Sequence, residues 1–495
     1  MQQRLATLDA VASEIGRRAR ARGVLAIWRA QARLQKRVHV REGRAESTSA
    51  TSIAGQGVQV VTPEGHGALA SRDDLREEAA CGLLDSAMEA ALAGGRLGLE
   101  RSGIPELTPL RARRLAGDPE AFERIDLARV ARALAELESR LGAEIEGVSL
   151  QLGYSAELDS WRVSREDGTD VSFAMPRCTL TMRATGSGAT GRHGVGAVVF
   201  SPDPRLLDDP ASVALFLERA RHAADLARRL PDAPLHPAGS FPLLIDYALA
   251  KGLAHEAFGH ASEADSFRSS VLARSGRFRS GEWVGAPHVS IVDEPIENDH
   301  AWQPYSANGL PRDRVVIVER GRLAEALSDP WTAQAAGVRL TGSARAESFR
   351  DAPQPRMSNI RIEVDGALGA PGPFEDYGPA EVRDLLAGAG LLRRHPRWVY
   401  LSGYNGGQVN TTTGDFMFHC KAIYDLSGSG VELFRPAIFA GSMFGALESV
   451  REAFGPLRLD AVGHCGKWGQ SVPSSGGSHY FLAIEPHEAV RLGGR

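Results

Sequence analysis

The chain has 495 residues, 43 % of them hydrophobic, with a formal net charge of −4 at pH 7. That length and apolar content suit two or three domains with ordinary buried cores. A charge so close to zero gives no reason to expect nucleic acid or an anionic membrane as a partner. No run of about 18 apolar residues occurs, so no membrane span is expected. The stretch from Met1 to Gly23 is charged and amphipathic and lacks the apolar segment of a signal peptide. Four cysteines (Cys81, Cys178, Cys420 and Cys465) are widely scattered. Such spacing suits free thiols in a reducing cytoplasm better than a disulfide framework.

Met1 to about residue 32 reads as one or two helical stretches, with Leu8, Val11, Ile15 and Ala19 at helical spacing. Lys36 to Val61 alternates, with glycines at 55 and 57, and predicts paired strands. A helix is expected from Glu77 to Leu92, then a loop rich in Gly, Pro and Arg from Gly94 to Pro119. Arg124 to Leu141 is a strongly amphipathic helix. Ile145–Tyr154, Val171–Thr185 and His193–Phe200 read as strands, with Gly186-Ser187-Gly188 as a turn. Asp209-Pro210 supplies an N-cap residue and a first-position proline for a helix over Ala211–Leu230. Three prolines between Pro231 and Pro237 mark the main domain boundary.

Phe241 to Leu253 is apolar and predicts a buried helix, with Pro242 in its first turn. It leads into Ala254-His255-Glu256-Ala257-Phe258-Gly259-His260-Ala261-Ser262-Glu263-Ala264-Asp265. Neutral imidazole is a good zinc ligand, and a nearby carboxylate can take a proton from water. The histidines stand at i and i+5, about 140° apart on a regular helix. Both reach one ion only if the helix bulges, tightens or ends between them, a break that Gly259 tolerates. Ser269–Ala286 is polar and glycine-rich, and its length suggests a loop over the site. Short strands follow at Val289–Val292, Val315–Glu319, Ile360–Val364, Val399–Ser402, Phe416–Tyr424 and Val431–Phe434, with a hairpin turn at Glu319–Arg322.

A catalytic zinc has three protein ligands and one open position. His255 and His260 supply two, and Glu256 is the candidate general base. The third is open among Cys465, Cys420, His419, His464, Glu263 and Asp265. Cys465 stands between Gly463 and Gly466 in what reads as a turn, where the backbone can approach closely. Cys420 alternates with Phe418 and Phe416 and is expected to face an apolar layer. Glu263 and Asp265 are candidates to hold the imidazoles in register, and His464 to line the site. No phosphate-binding loop or Gly-x-Ser-x-Gly elbow is present, which removes support for nucleotide binding or a serine hydrolase.

The stretch HEAFGHASEADSF resembles the TldD branch of the TldD/PmbA metallopeptidases, which carry His-Glu-x-x-x-His. The likeness continues in order through VSIVDEP, TGSARAESFRDAPQPRMSN, GGQVNTTTGDFMF and GHCGKWGQSVP. REGRAESTSATSIAGQGVQVV and ALASRDDL resemble the family's first-domain signature. The resemblance implies an α+β fold. An N-terminal α/β domain would span residues 1–235, with a sub-boundary near 100–120. A C-terminal β-rich domain, 236–495, would surround a buried metal-bearing helix. It implies Zn²⁺ held by His255, His260 and a cysteine at Cys465, in a cytoplasmic peptidase of unfolded or modified peptides. It further implies a PmbA/TldE-type partner subunit or a homo-oligomer. The rival expectation is a tailoring enzyme that uses the same site on a small molecule or one modified peptide.

Overall fold

A computed structural model of the chain describes all residues other than 1–4, 6, 100, 102, 104, 428, 429, 494 and 495. Helix α1 (Asp9–Arg22) ends at Gly23, which takes the left-handed conformation at φ 66°. Glycine adopts that conformation without steric cost, so it closes helices. The helix expected to continue to about residue 32 therefore stops early, and residues 1–4 and 6 of that expectation lie outside the described residues. Leu25 onwards instead forms β1 (Leu25–Arg41), paired antiparallel with β2 (Arg44–Val61) and with β5 (Val148–Arg165). Long-range pairing on both edges outweighs the local helical pattern.

The first sheet has seven strands. The others are β3 (Gly67–Arg72), β4 (Arg111–Leu115), β6 (Asp170–Gly188) and β7 (Gly191–Ser201). Strand β4 lies within the stretch expected to be loop and pairs parallel with β6. Gly186 and Gly188 do not make the turn predicted for them, since both stay in β6. Their reason is space, because a Cβ on Gly186 would lie 2.0 Å from the carbonyl oxygen of Ala227. The longer helices of this half after α1 are α2 (Glu77–Arg96), α3 (Leu127–Glu144) and α4 (Pro210–Arg229). As expected, Asp209 caps α4 by accepting from the Ala211 and Ser212 N–H groups.

Strand β8 (Leu243–Asp246) opens a second, thirteen-stranded sheet. Its other strands are β9 (Val289–Glu294), β10 (Val315–Glu319), β11 (Arg322–Leu323), β12 (Asn359–Val364), β13 (Arg397–Asn410), β14 (Asp415–Ser427), β15 (Glu432–Phe434), β16 (Ile438–Ser442), β17 (Val450–Arg458), β18 (Gly463–Lys467), β19 (Gln470–Ile484) and β20 (Val490–Leu492). The order is β11-β10-β9-β12-β19-β8-β13-β14-β16-β20, with β15 on β14 and both β17 and β18 on β19. The helix expected from Phe241 thus begins only at Tyr247, as α5 (Tyr247–Gly252). Strand β8 runs parallel to β13 and antiparallel to β19, and it is buried on both faces. Leu243 and Ile245 face one core and Leu244 the other. A strand covered on both sides reads as a continuous apolar run, which periodicity cannot separate from a buried helix.

Helices α3 and α4 pack on the first sheet. Their apolar residues share one continuous core with Leu244, Trp398, Tyr400 and Ala422 of the second sheet. The opposite face of the second sheet holds the core that encloses the segment after α5. No helix among the described residues is long and apolar enough to cross a membrane.

Candidate metal centre

Asp246, the last residue of β8, accepts from the Leu249 N–H and so caps α5 as the chain leaves the sheet. The next seven residues, Leu253–Gly259, form a π-helix, and the His260 N–H bonds back to the His255 carbonyl. One extra residue per turn brings positions i and i+5 towards one face. The rings of His255 and His260 consequently stand 5.1 Å apart, centroid to centroid, at 87°. This is the irregularity that their spacing demanded. Gly259 has an ordinary right-handed backbone, φ −58° and ψ −61°. The expectation that its conformational freedom permits the break is therefore corrected. Packing favours glycine there, because a Cβ would lie 1.9 Å from Met357 Sδ and the methionine would have to shift.

Cys465 arrives from β18, an antiparallel neighbour of β19, with Cys465 opposite Val472. It lies on a strand and not in a turn. The turn is at Trp468-Gly469, both with positive φ. One ligand atom from each of His255, His260 and Cys465 lies within 4.8 Å of the other two. Glu263 is fully buried and takes His260 Nδ1 at 3.0 Å, leaving Nε2 directed at Cys465 Sγ, 3.5 Å away. The Lys467 ammonium donates to Glu263 at 2.9 Å and to Asp265 at 2.8 Å. Asp265 therefore holds Lys467 and not an imidazole. His464 points to the other side of β18, where its ring meets that of His300 edge-on at 5.7 Å. His419 is exposed on β14. Cys420 is buried among Phe416, Phe418 and Phe439, and burial pushes its thiol up to about 12.

The protonation pattern suits a metal. Burial, then the nearby cation Lys251, hold His255 well below the usual imidazole range, so it stays neutral. Burial would also lower His260, but the Glu263 charge and the bond to Cys465 raise it well above that range. Burial would raise the Cys465 thiol, yet its bond to His260 and the imidazolium charge draw it below its ordinary value. Nδ1 of His255 is buried with no hydrogen-bond partner among the described residues. Two imidazoles and a thiolate form a donor set that Zn²⁺ accepts.

Glu256 lies beside this cluster, with Oε2 3.9 Å from His260 Nε2. The Tyr404 hydroxyl donates to Oε1 at 3.2 Å. Both open on a cavity of about 690 Å³ between the two halves of the molecule. The first half contributes Gly196, Arg219 and His222, and the second Asp246, Lys251 and Lys421.

The model of the PmbA/TldA metallopeptidase C-terminal domain matches residues 238–474. A metalloprotease of Methanocaldococcus jannaschii is 30 % identical over 337 residues, 66 % of this chain and 67 % of the relative. The chain belongs to the TldD/PmbA family. A Methanothermobacter thermautotrophicus metalloprotease is 29 % identical over 383 residues, 76 % of this chain and 77 % of that protein. TldE from Thermococcus kodakarensis superposes with a TM-score of 0.74 over 99 % of this chain and 100 % of its own, at 14 % identity. This TldD/PmbA chain thus shares the family's α+β fold over nearly its whole length. Sequence reasoning missed four groups of its site, namely Lys251, Arg356, Tyr404 and Lys467. A signal for two of them was present: Lys251 precedes His255 by four residues, and Lys467 follows Cys465 by two, on the same face of a strand.

Proposed function

We propose that this chain is a zinc-dependent peptidase, with His255, His260 and Cys465 as ligands and Glu256 as general base. The observation that carries the reading is the convergence of those three ligand atoms within 4.8 Å, beside a carboxylate that opens on a cavity. Zn²⁺, when bound, supplies a Lewis acid that polarises a carbonyl and acidifies water. Glu256 takes a proton from the attacking water, whose oxygen adds to the scissile carbonyl carbon. As the C–N bond breaks, its electron pair passes to the leaving nitrogen, which takes the proton from Glu256. Tyr404, by donating to Oε1, holds the other carboxylate oxygen towards His260. Glu263 fixes the His260 ring through Nδ1, and Lys467 keeps Glu263 charged in its buried position.

The substrates in this reading are unfolded or modified peptides, recognised along the main chain by strand addition. A TldE-type subunit is the proposed partner. A reducing, cytoplasmic setting fits the four free cysteines. The test is Glu256→Gln, which should keep its zinc and lose turnover of an unstructured peptide by at least about 10²-fold. Near-normal cleavage by the zinc-loaded variant, followed by mass spectrometry, would refute the assignment of the base.

A further inference from the structure

Lys251 is a charged side chain at the metal centre that the mechanism above leaves unused. It is 6 % exposed and lines the same cavity as Glu256 and Cys465. Its ammonium has one hydrogen bond, to the neutral Ser474 hydroxyl at 3.2 Å, and no ion pair with a carboxylate among the described residues. A buried ammonium with no carboxylate in direct contact is costly, so its retention calls for a reason. Burial lowers its affinity for a proton, while the nearby charges of Glu256 and Cys465 raise it.

A Cβ on Gly476 would lie 3.0 Å from Lys251 Cγ, and one on Gly463 would lie 3.8 Å from Nζ. Gly463 and Cys465 are same-face neighbours on β18. Nζ therefore stands on the face of β18 that carries Cys465, and both residues line the cavity. A charged group in that position, open to the cavity, suits contact with a bound peptide.

We infer that Lys251 binds substrate, its ammonium taking an oxygen of the peptide that carries negative charge. The inference rests on the peptidase reading. Two oxygens have this chemistry, the one that becomes anionic at the scissile carbonyl and one of a terminal carboxylate. An ammonium held in place by a buried stem stabilises either without reorganising.

The test uses the full-length, zinc-loaded protein and calorimetric binding of two probes. One is a peptide phosphinate, tetrahedral and anionic at the scissile position, with an amidated C-terminus. The other is an uncleaved peptide with a free C-terminal carboxylate. Lys251→Met should keep its zinc and bind the phosphinate roughly 10- to 100-fold more weakly, the size of a lost charge-assisted hydrogen bond. Lys251→Arg should recover part of the loss. If the anchored group is the terminal carboxylate, the loss appears with the free-acid peptide and is absent with the amidated phosphinate. Binding of both probes within about twofold of wild type overturns the inference. Loss of zinc overturns it too, since the ammonium would then serve the metal. Lys251→Gln is the second neutral variant, and unfolding of both would make the ammonium structural and overturn the assignment. A wild-type protein that cleaves no peptide, yet binds the phosphinate in a Lys251-dependent way, would sink the peptidase reading alone. Normal turnover and binding by Lys251→Met, with Glu256→Gln inactive, would sink the Lys251 assignment alone.

Discussion

Replacing Gly259 by Ala tests whether packing shapes the metal-binding turn. The new Cβ would meet Met357 Sδ at 1.9 Å, with Met357 Cε and Ile360 Cδ1 each at 3.1 Å. An ordinary contact needs about 3.5–4.0 Å, so something must move by nearly 2 Å. Met357 is fully buried and has no solvent to move into. Overpacking of this kind costs about 1–3 kcal/mol. The helical preference of Ala over Gly returns about 1 kcal/mol, leaving a net loss of about 0–2 kcal/mol. The larger consequence falls on His260, the next residue. Ligand distances in a metal site tolerate about 0.2 Å, so a shifted turn should weaken zinc binding by about tenfold or more. Urea denaturation of the metal-free protein and a zinc titration measure the two effects. Met357→Ala alone should cost about 2–5 kcal/mol through the cavity it leaves. In the double variant the added methyl enters that cavity, so the combined loss should fall short of the sum by at least about 1 kcal/mol. A Gly259→Ala protein with wild-type stability and zinc affinity, or a strictly additive double variant, would refute the reasoning.

Cys465→Ala should lose zinc, while Cys420→Ala should keep it and lose only core packing. Full zinc in the first and none in the second would reverse the ligand assignment. Zinc binding should also release protons. In the metal-free chain the His260 imidazole is held above its ordinary value and the Cys465 thiol below its own by their contact, so the two share a proton. A metal ligand must be a neutral imidazole, so binding expels about one proton near neutral pH, and affinity falls about tenfold per unit as the pH drops. Calorimetry in two buffers of different ionisation enthalpy counts that proton, and a release of zero with a flat pH dependence would contradict the pairing.

The parts of the fold legible in the sequence were those with one dominant local cause. The strand Val315–Glu319 has the expected bounds because Arg320 and Gly321, both at positive φ, close a tight hairpin after it. The irregular turn at His255–His260 was legible because two ligands at i and i+5 cannot share an ion on a regular helix. Strand β8 was not legible, since Leu243–Ile245 are covered on both faces and carry no alternation. Nor was the role of Gly259, because the atoms that forbid a Cβ belong to Met357 and Ile360, about a hundred residues along the chain. Glycine there reports a close approach, and sequence alone does not say to what.

Strand β18 explains why one short segment decides so much of the site. Its side chains alternate, so Gly463, Cys465 and Lys467 share one face while His464 and Gly466 take the other. On the inner face Gly463 lies alongside the Lys251 ammonium, 3.8 Å from where its Cβ would stand. Two residues on, the thiol meets His260 Nε2. Two further on, the Lys467 ammonium bridges Glu263 and Asp265, and Glu263 holds the other nitrogen of the same ring. Arg356 donates to the Cys465 carbonyl and fixes the strand from behind. A slip of one residue in the pairing of β18 with β19 would turn His464 inwards and remove the thiol and the ammonium together. The register Cys465 opposite Val472 is therefore as much a part of the candidate metal centre as the proposed ligands are.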